Sequence, residues 1–394
     1  MSTLTTPYLQ AADPVERPAA SPTGDPWLLT PGPLTTSPGV KQAMLHDLGS
    51  RDDGFIAVNR RVRQRLLEIV GDRGEHVAVP LQGSGTFSVE AMLHSFLPAS
   101  GKLLILVNGA YGARMAKICR LAGHAFTTLD WAENQPVDPV TVEKALAQDD
   151  GITHVAVVHC ETTSGILNPI ERVGAVVAAA GRGLLIDSMS AFGALPLTID
   201  RVSFDALVAS SNKCLEGVPG LAFCIARKEA LIAAAGNACS LSLDLHDQWQ
   251  AMEKNGQWRF TPPTHAILAF DKALDEFVAE GAVEGRGGRY RSNCRILVDG
   301  MRALGFETLL PDALQAPIIV TFLMPADRRF DFQRFYNALR RRGYVIYPGK
   351  LTVADSFRIG CIGRLGAAEM EGALSAVRAV LSELGVESGA PATN

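Results

Sequence analysis

The sequence predicts an α/β protein: a mostly parallel central sheet covered by helices, followed by a smaller C-terminal α+β unit. Three observations predict it. From about Val77 onward, short apolar runs alternate with stretches of helical periodicity, the signature of a parallel sheet covered on both faces. Several of those runs end in glycine, hydroxyl or charged residues, and in such sheets ligands gather at the carboxyl ends of the strands. Beyond about residue 280 the pattern changes to a helix, two short apolar runs and a terminal helix.

Taken in order, residues 1–27 are rich in Pro, Ser, Thr and Ala without apolar periodicity. They are expected to form a mobile extension or an arm lying on a partner subunit. A large domain is expected over 28–280, with strands at Val77–Leu81, Leu103–Val107, His154–Val158, Leu184–Ile186, Ala206–Ala209 and Leu221–Ala226. Helices are expected near Val89–Phe96, Gly112–Ala122, Val140–Ala147 and Val173–Ala180. Gly285-Arg286-Gly287-Gly288 reads as a break, although a helix could run through part of it. The small domain, 281–388, should hold a helix at Tyr290–Leu304, strands near Pro317–Leu323 and Val345–Tyr347, and a helix at Ala367–Leu384. Residues 389–394 read as a tail.

Composition narrows the function. The chain has 394 residues, 47% hydrophobic and 20% charged, with net charge −4, which indicates neither a nucleic-acid nor a membrane partner. Arg340-Arg341-Arg342 reads as a solvated helix face. Seven scattered cysteines without CxxC spacing suggest reduced thiols and a cytoplasmic location. Residues 1–20 lack the pattern of a secretory signal, and the apolar stretch Val173–Ala180 is far too short to span a bilayer.

The strand ends carry the chemistry. Gln82-Gly83-Ser84-Gly85-Thr86-Phe87 leads into a helix, and glycines, hydroxyls and a helix N-terminus together suit a phosphate. By itself this is more often a turn or a cap. Tyr111, in Asn108-Gly109-Ala110-Tyr111-Gly112, could stack on a flat heteroaromatic ring or simply pack on the sheet. His159-Cys160-Glu161-Thr162-Thr163-Ser164-Gly165 offers hydroxyls for a phenolic oxygen or a phosphate, and equally for a capped loop.

Asp187 closes the apolar run Leu184-Leu185-Ile186, where a buried carboxylate needs a cation or donors. Lys213 follows Val208-Ala209-Ser210-Ser211-Asn212 at the end of the next strand. A lysine to form an imine and a carboxylate to keep a pyridine nitrogen protonated are what pyridoxal 5'-phosphate (PLP) chemistry requires. Phosphate loop, stacking aromatic, hydroxyls, acid and lysine occur in that order, which makes PLP the expected cofactor.

At these residues the chain resembles the class V aminotransferases, a group of the fold-type I PLP enzymes. The similarity runs from about residue 28 to about 385. It includes Leu29-Thr30-Pro31-Gly32-Pro33-Leu34-Thr35-Thr36-Ser37, Leu185–Gly193, Ser211–Gly220, Arg259–His265 and Phe357-Arg358-Ile359-Gly360. The first of these and the Lys213 segment resemble the phosphonate branch of the family.

The resemblance implies that Lys213 is the catalytic lysine and that Asp187 binds the pyridine nitrogen. It places Tyr111 on the ring, Ser84, Gly85, Thr86 and Asn212 near the phosphate, and Thr162 near the phenolic oxygen. Thr261 would reach the phosphate from the other subunit of a homodimer with shared active sites, and Arg358 would bind the acidic end of the substrate. No metal is implied.

The implied reaction is ping-pong transamination of 2-aminoethylphosphonate with pyruvate through pyridoxamine phosphate, giving phosphonoacetaldehyde and L-alanine. The alternatives are a serine or alanine aminotransferase using glyoxylate, a cysteine desulfurase-like lyase using Cys361, and a non-catalytic module on the same fold. The stretch Leu48–Phe55 departs from the family pattern and bears on the amine donor. Within it Arg51 could contact an anion, but a surface salt bridge with a neighbouring Asp is the expected reading.

Overall fold

The computed structural model describes residues 19–351 and 354–392. Its central sheet has seven strands: β1 (His76–Gln82), β2 (Lys102–Val107), β3 (Ala125–Asp130), β4 (Ile152–Val158), β5 (Gly183–Asp187), β6 (Ala206–Ser210) and β7 (Leu221–Arg227). Their order is β1-β7-β6-β5-β4-β2-β3, with β7 antiparallel to both neighbours and the other pairings parallel.

Nine helices matter below: α1 (Asp53–Ile69), α2 (Gly85–Phe96), α3 (Ala110–Ala122), α4 (Pro139–Gln148), α5 (Ile170–Ala179), α6 (Thr264–Ala279), α7 (Ala282–Ala303), α8 (Phe332–Arg341) and α9 (Ala367–Leu384). Their ends follow local chemistry. Asp138 accepts from Val140 N and Thr141 N to start α4, Asp331 accepts from Arg334 N to start α8, and Gly123 and Gly385 take left-handed φ of 76° and 71° to end α3 and α9.

Side-chain alternation along the strands builds two cores. Leu104, Leu106, Val155, Val157, Leu184 and Ile186 pack with α1, α4, α5 and α6 on one face. Leu103, Ile105, Ala156, Val158 and Leu185 pack with α2 and α3 on the other. By the same period of two, Asp187 lies on the α2/α3 side with Leu185. Burying each such Leu or Ile contributes about 1.5–3 kcal/mol, so a one-residue slip in register would be very costly.

The C-terminal unit packs α7, α8 and α9 around a three-stranded antiparallel sheet of β8 (Ile319–Leu323), β9 (Tyr347–Pro348) and β10 (Ser356–Gly360), in the order β8-β10-β9. Its core is aromatic: Phe306, Phe322, Phe335 and Phe357 are all essentially inaccessible to water.

Several expectations change. Residues 19–28 are not a free extension. Ala19 N donates to Arg342 O at 3.1 Å, and Trp27–Leu28 pair in parallel with Tyr344–Val345. This segment therefore joins the core of the C-terminal unit, distant in sequence but adjacent in space; residues 1–18 lie outside the described residues. The tail is held too, since Gly389 N donates to Leu304 O and Ala390 O accepts from Ala326 N.

Gly285–Gly288 is not a break, because α7 runs through it. A side chain at Gly287 would meet Ala194 O at 2.2 Å, so the glycine lets helix and loop touch. That close packing offsets the roughly 1 kcal/mol a helical glycine costs. The expected strand Val345–Tyr347 is divided between the pairing at Tyr344–Val345 and β9. Strands β3 and β10 and helices α1 and α6 are additional to the elements expected. Among the described residues no helix is long and apolar enough to cross a membrane.

Candidate active site

The strand ends converge on one cavity lined by Gly32, Ser84, Gly85, Thr86, Val89, Tyr111, Arg114, Asp187, Met189, Ser210, Asn212 and Lys213. Seven of the ten predicted site residues are in that set. Thr162, Thr261 and Arg358 are not.

Lys213 lies in the loop between β6 and β7. Its Nζ donates to Pro31 O at 2.6 Å, and burial pushes its pKa down to about 8. A lysine near 8 has a sizeable neutral fraction at physiological pH, as a nucleophilic or basic amine needs. The N-terminal Thr-Pro-Gly-Pro motif is explained by the same contact. A Cβ on Gly32, whose φ is +118°, would meet Lys213 Cδ at 2.8 Å, so only glycine lets the chain pass beneath the lysine.

Helix α7 fixes this loop from behind. Arg286 Nη1 donates to Cys214 O at 2.6 Å, Arg289 Nη2 donates to Glu216 Oε1 at 2.7 Å, and Tyr290 OH donates to the same oxygen at 2.6 Å. Glu216 holds a left-handed φ of 57°. That conformation is strained for a non-glycine residue, and the buried network holds it.

Asp187 is buried at the end of β5, where Oδ1 accepts from Met189 N at 3.0 Å. Burial raises its pKa to about 6. A desolvated carboxylate facing a cavity favours a cationic N–H partner, which a protonated pyridine supplies.

Opposite it, Ser84 is the N-cap of α2, and its hydroxyl makes no cap bond within the helix. The first turn of α2 thus presents N–H donors and a hydroxyl to the cavity, as an anion requires. Gly85 is needed for packing as well, since a Cβ there would meet Met189 Sδ at 2.6 Å. A helix N-terminus with free donors, a carboxylate and a lysine therefore line a single cavity, and the donor set fits PLP.

Tyr111 begins α3 with its ring on the cavity wall. Two residues absent from the sequence-based set hold it. Glu161, fully buried, accepts from Tyr111 N (3.1 Å) and Gly112 N (3.4 Å) on Oε2 and from Thr163 N (3.1 Å) and Thr163 Oγ1 (2.6 Å) on Oε1. Arg114 places its guanidinium carbon 4.7 Å from the Tyr111 ring centroid and donates to Thr86 Oγ1 at 3.1 Å. The signal for Arg114 was its i+3 spacing from Tyr111, which puts both on one helix face. For Glu161 it was a carboxylate three residues beyond the end of a buried strand.

Thr162 is buried, with Oγ1 2.8 Å from Ser190 Oγ. Its carbonyl accepts from Arg358 Nη1 at 2.8 Å, and Pro348 O accepts from Arg358 Nε at 3.2 Å. Arg358, on β10, is 1% exposed, so two backbone carbonyls aim a nearly dry guanidinium. Burial lowers its pKa and the nearby Tyr111, Tyr347 and Glu161 raise it. It belongs to the electrostatic surroundings of Tyr111 without lining the cavity. Lys350 adds a third cation, its pKa lowered by burial and then by Arg358 and Arg114.

Thr261 lines a separate surface pocket with Ser50, Arg51, Trp258, Arg259 and Phe260, away from its own chain's lysine. Arg51 makes no ion pair with Asp52 or Asp53 among the described residues, contrary to the expectation of a local salt bridge. Cys361 is buried, with its pKa raised by the neighbouring Cys294 and by burial, the opposite of a reactive thiolate.

Comparison with known proteins decides the family. The model of aminotransferase class-V matches residues 41–358. The chain belongs to the class V aminotransferases. It is 54% identical over 361 residues to a 2-aminoethylphosphonate–pyruvate transaminase of Burkholderia lata, covering 92% of this chain and 96% of that one. It is 53% identical over 368 residues to one from a Polaromonas species, covering 93% and 98%. Among solved structures, pyridoxamine–pyruvate aminotransferase from Mesorhizobium loti superimposes with a TM-score of 0.84 at 26% identity, over 94% of this chain and 96% of that one. As a class V aminotransferase the chain is a PLP-dependent enzyme of fold type I, acting on small-molecule substrates.

Proposed function

We propose that this enzyme transfers the amino group of 2-aminoethylphosphonate to pyruvate, giving phosphonoacetaldehyde and L-alanine in two half-reactions. Identity above 50% over more than nine-tenths of the chain with transaminases of that name carries the reading. The cations near the cavity support it, because a phosphonate dianion asks for more than one positive group.

PLP, when bound, supplies the electron sink for breaking a C–H bond next to the amine and carries the amino group between half-reactions. The chain's own residues would do the rest. Ser84, Gly85 and Thr86 would hold the phosphate, with Asn212 beside them. Asp187 would keep the proton on the pyridine nitrogen. Tyr111, braced by Glu161 and Arg114, would cover the ring, and Thr162 would stand near the phenolic oxygen. Lys213 Nζ would hold the cofactor through its aldehyde in the resting enzyme and would move the substrate proton.

Arg358 would bind the phosphonate in one half-reaction and the carboxylate in the other, since its fork of donors matches both. Thr261, exposed beside the half-exposed Phe260, would reach the phosphate of a second protomer, which makes the working unit a homodimer. The compartment would be the cytoplasm.

The test is an absorbance spectrum of the purified enzyme before and after adding 2-aminoethylphosphonate without an oxo acid. The visible cofactor band should disappear and return when pyruvate is added. A band that answers only to serine or alanine, and is restored by glyoxylate, would move the enzyme to the glyoxylate-linked branch.

A second measurement addresses the anion site. Replacing Arg358 by Ala should raise KM about 10–100-fold for both the aminophosphonate and pyruvate, the loss of a charge-assisted hydrogen bond. An unchanged KM for pyruvate would remove Arg358 from substrate binding.

A further inference from the structure

At the far end of α2 from Ser84, three side chains from separate segments converge. His94 is in the last turn of α2, His124 is in the turn just before β3, and Cys239 is in the loop that leads to the helix Leu245–Asn255. His94 Nδ1 is 3.3 Å from His124 Nε2 and 3.1 Å from Cys239 Sγ, and the three potential ligand atoms lie within 4.8 Å of one another. We propose that His94, His124 and Cys239 form a binding site for a thiophilic divalent cation, Zn2+ in the first place. It is unrelated to transamination.

Three observations carry this. The first is spacing. A tetrahedral Zn2+ with Zn–N of about 2.0–2.1 Å and Zn–S of about 2.3 Å holds its ligand atoms roughly 3.3–3.6 Å apart. The two nitrogens already meet that spacing, the sulfur stands a few tenths of an ångström inside it from His94 Nδ1, and it lies within 4.8 Å of His124 Nε2. A hydrogen-bond account fits less well. One ring nitrogen offers a single proton or a single lone pair, yet His94 Nδ1 faces two partners.

The second observation is what orients the ring. His94 Nε2 is 3.4 Å from Glu90 Oε1, one turn earlier on the same helix. A carboxylate holding the remote N–H of an imidazole leaves the other nitrogen's lone pair facing inward, which is the usual outer partner of a metal-bound histidine.

The third is preorganisation of the thiol. Asn237 Nδ2 donates to Ser95 O at 3.2 Å, and Leu245 N donates to Ser95 Oγ at 3.1 Å. The loop carrying Cys239 is thus pinned on both sides to the residue next to His94. His94 is buried while Cys239 is exposed, so the site has a rigid floor and an open entry. Two imidazoles and a thiolate leave the fourth position to water, and this soft N/S set selects against Mg2+ and Ca2+.

The experiment titrates the reduced, PLP-loaded enzyme with Co2+ as the spectroscopic stand-in. Wild type should develop ligand-field bands in the red, where PLP does not absorb, and a thiolate-to-metal charge-transfer band. One equivalent of Zn2+ should remove both. Cys239→Ser should lose the charge-transfer band, and both Cys239→Ser and His124→Gln should weaken Co2+ binding at least tenfold. Circular dichroism and the cofactor band would verify that each variant is folded. No such bands in wild type overturns the proposal. So do bands and affinity that survive unchanged in both variants, which would place the ion elsewhere on the chain.

Discussion

Replacing Lys213 by Ala is expected to lower kcat by more than about 10⁴-fold, because one side chain supplies both the covalent hold on the cofactor and the proton transfer. The fold should survive. Removing a buried amine whose pKa is pushed down to about 8 relieves a desolvation cost, and the loop keeps its anchors to Arg286, Arg289 and Tyr290. The cavity also retains Ser84, Thr86 and Asp187, so PLP should still bind without a covalent link. A small primary amine added to the solution should restore part of the activity, since it can enter the space the side chain left. The check is a steady-state assay with and without that amine. Turnover within tenfold of wild type would take Lys213 out of the chemistry.

Replacing Asp187 by Asn should cost on the order of 10²–10³-fold in kcat, the scale of one removed electrostatic contact at a reacting centre. Stability should respond the other way. Burial lifts this carboxyl from 3.8 to about 6, which corresponds to about 3 kcal/mol of penalty once it is ionised without a cationic partner. Between pH 4 and 6 the folded, cofactor-free protein keeps a proton that the unfolded chain has released. Its stability therefore falls as pH rises through that window, and the penalty is complete above it. Melting curves of the PLP-free protein should show Asp187→Asn gaining on wild type at pH 8 relative to pH 5. A gain that is the same at both pH values would mean that the carboxyl carries no such penalty. Lower kcat with higher cofactor-free stability marks a residue kept for its charge.

Much of the fold was legible along the chain because the sheet is buried on both faces. Six of the seven central strands read as near-continuous apolar runs, and only the edge strand β3, half-exposed along Ala125–Asp130, lacked that signal. Lys213, Asp187, Tyr111 and Ser84–Thr86 stood out because a strand end in a parallel sheet is itself a location, so local sequence gave position. Glu161 and Arg114 did not stand out, since their meaning lies in what they touch across loops.

The sequence by itself determined the fold class, the order of the strands along the chain, and the acid and lysine that close two adjacent ones. These follow from hydrophobic periodicity and from the cost of burying a charge, which are properties of short segments. Only the tertiary structure decided that residues 19–29 complete the C-terminal core, and that α7 runs through Gly285–Gly288 to grip the lysine loop. It alone aimed Arg358 with two carbonyls from other segments, and gathered His94, His124 and Cys239 at one point. Each of those depends on contacts between residues up to hundreds of positions apart. Such contacts are set by packing the whole chain, and no local window contains them.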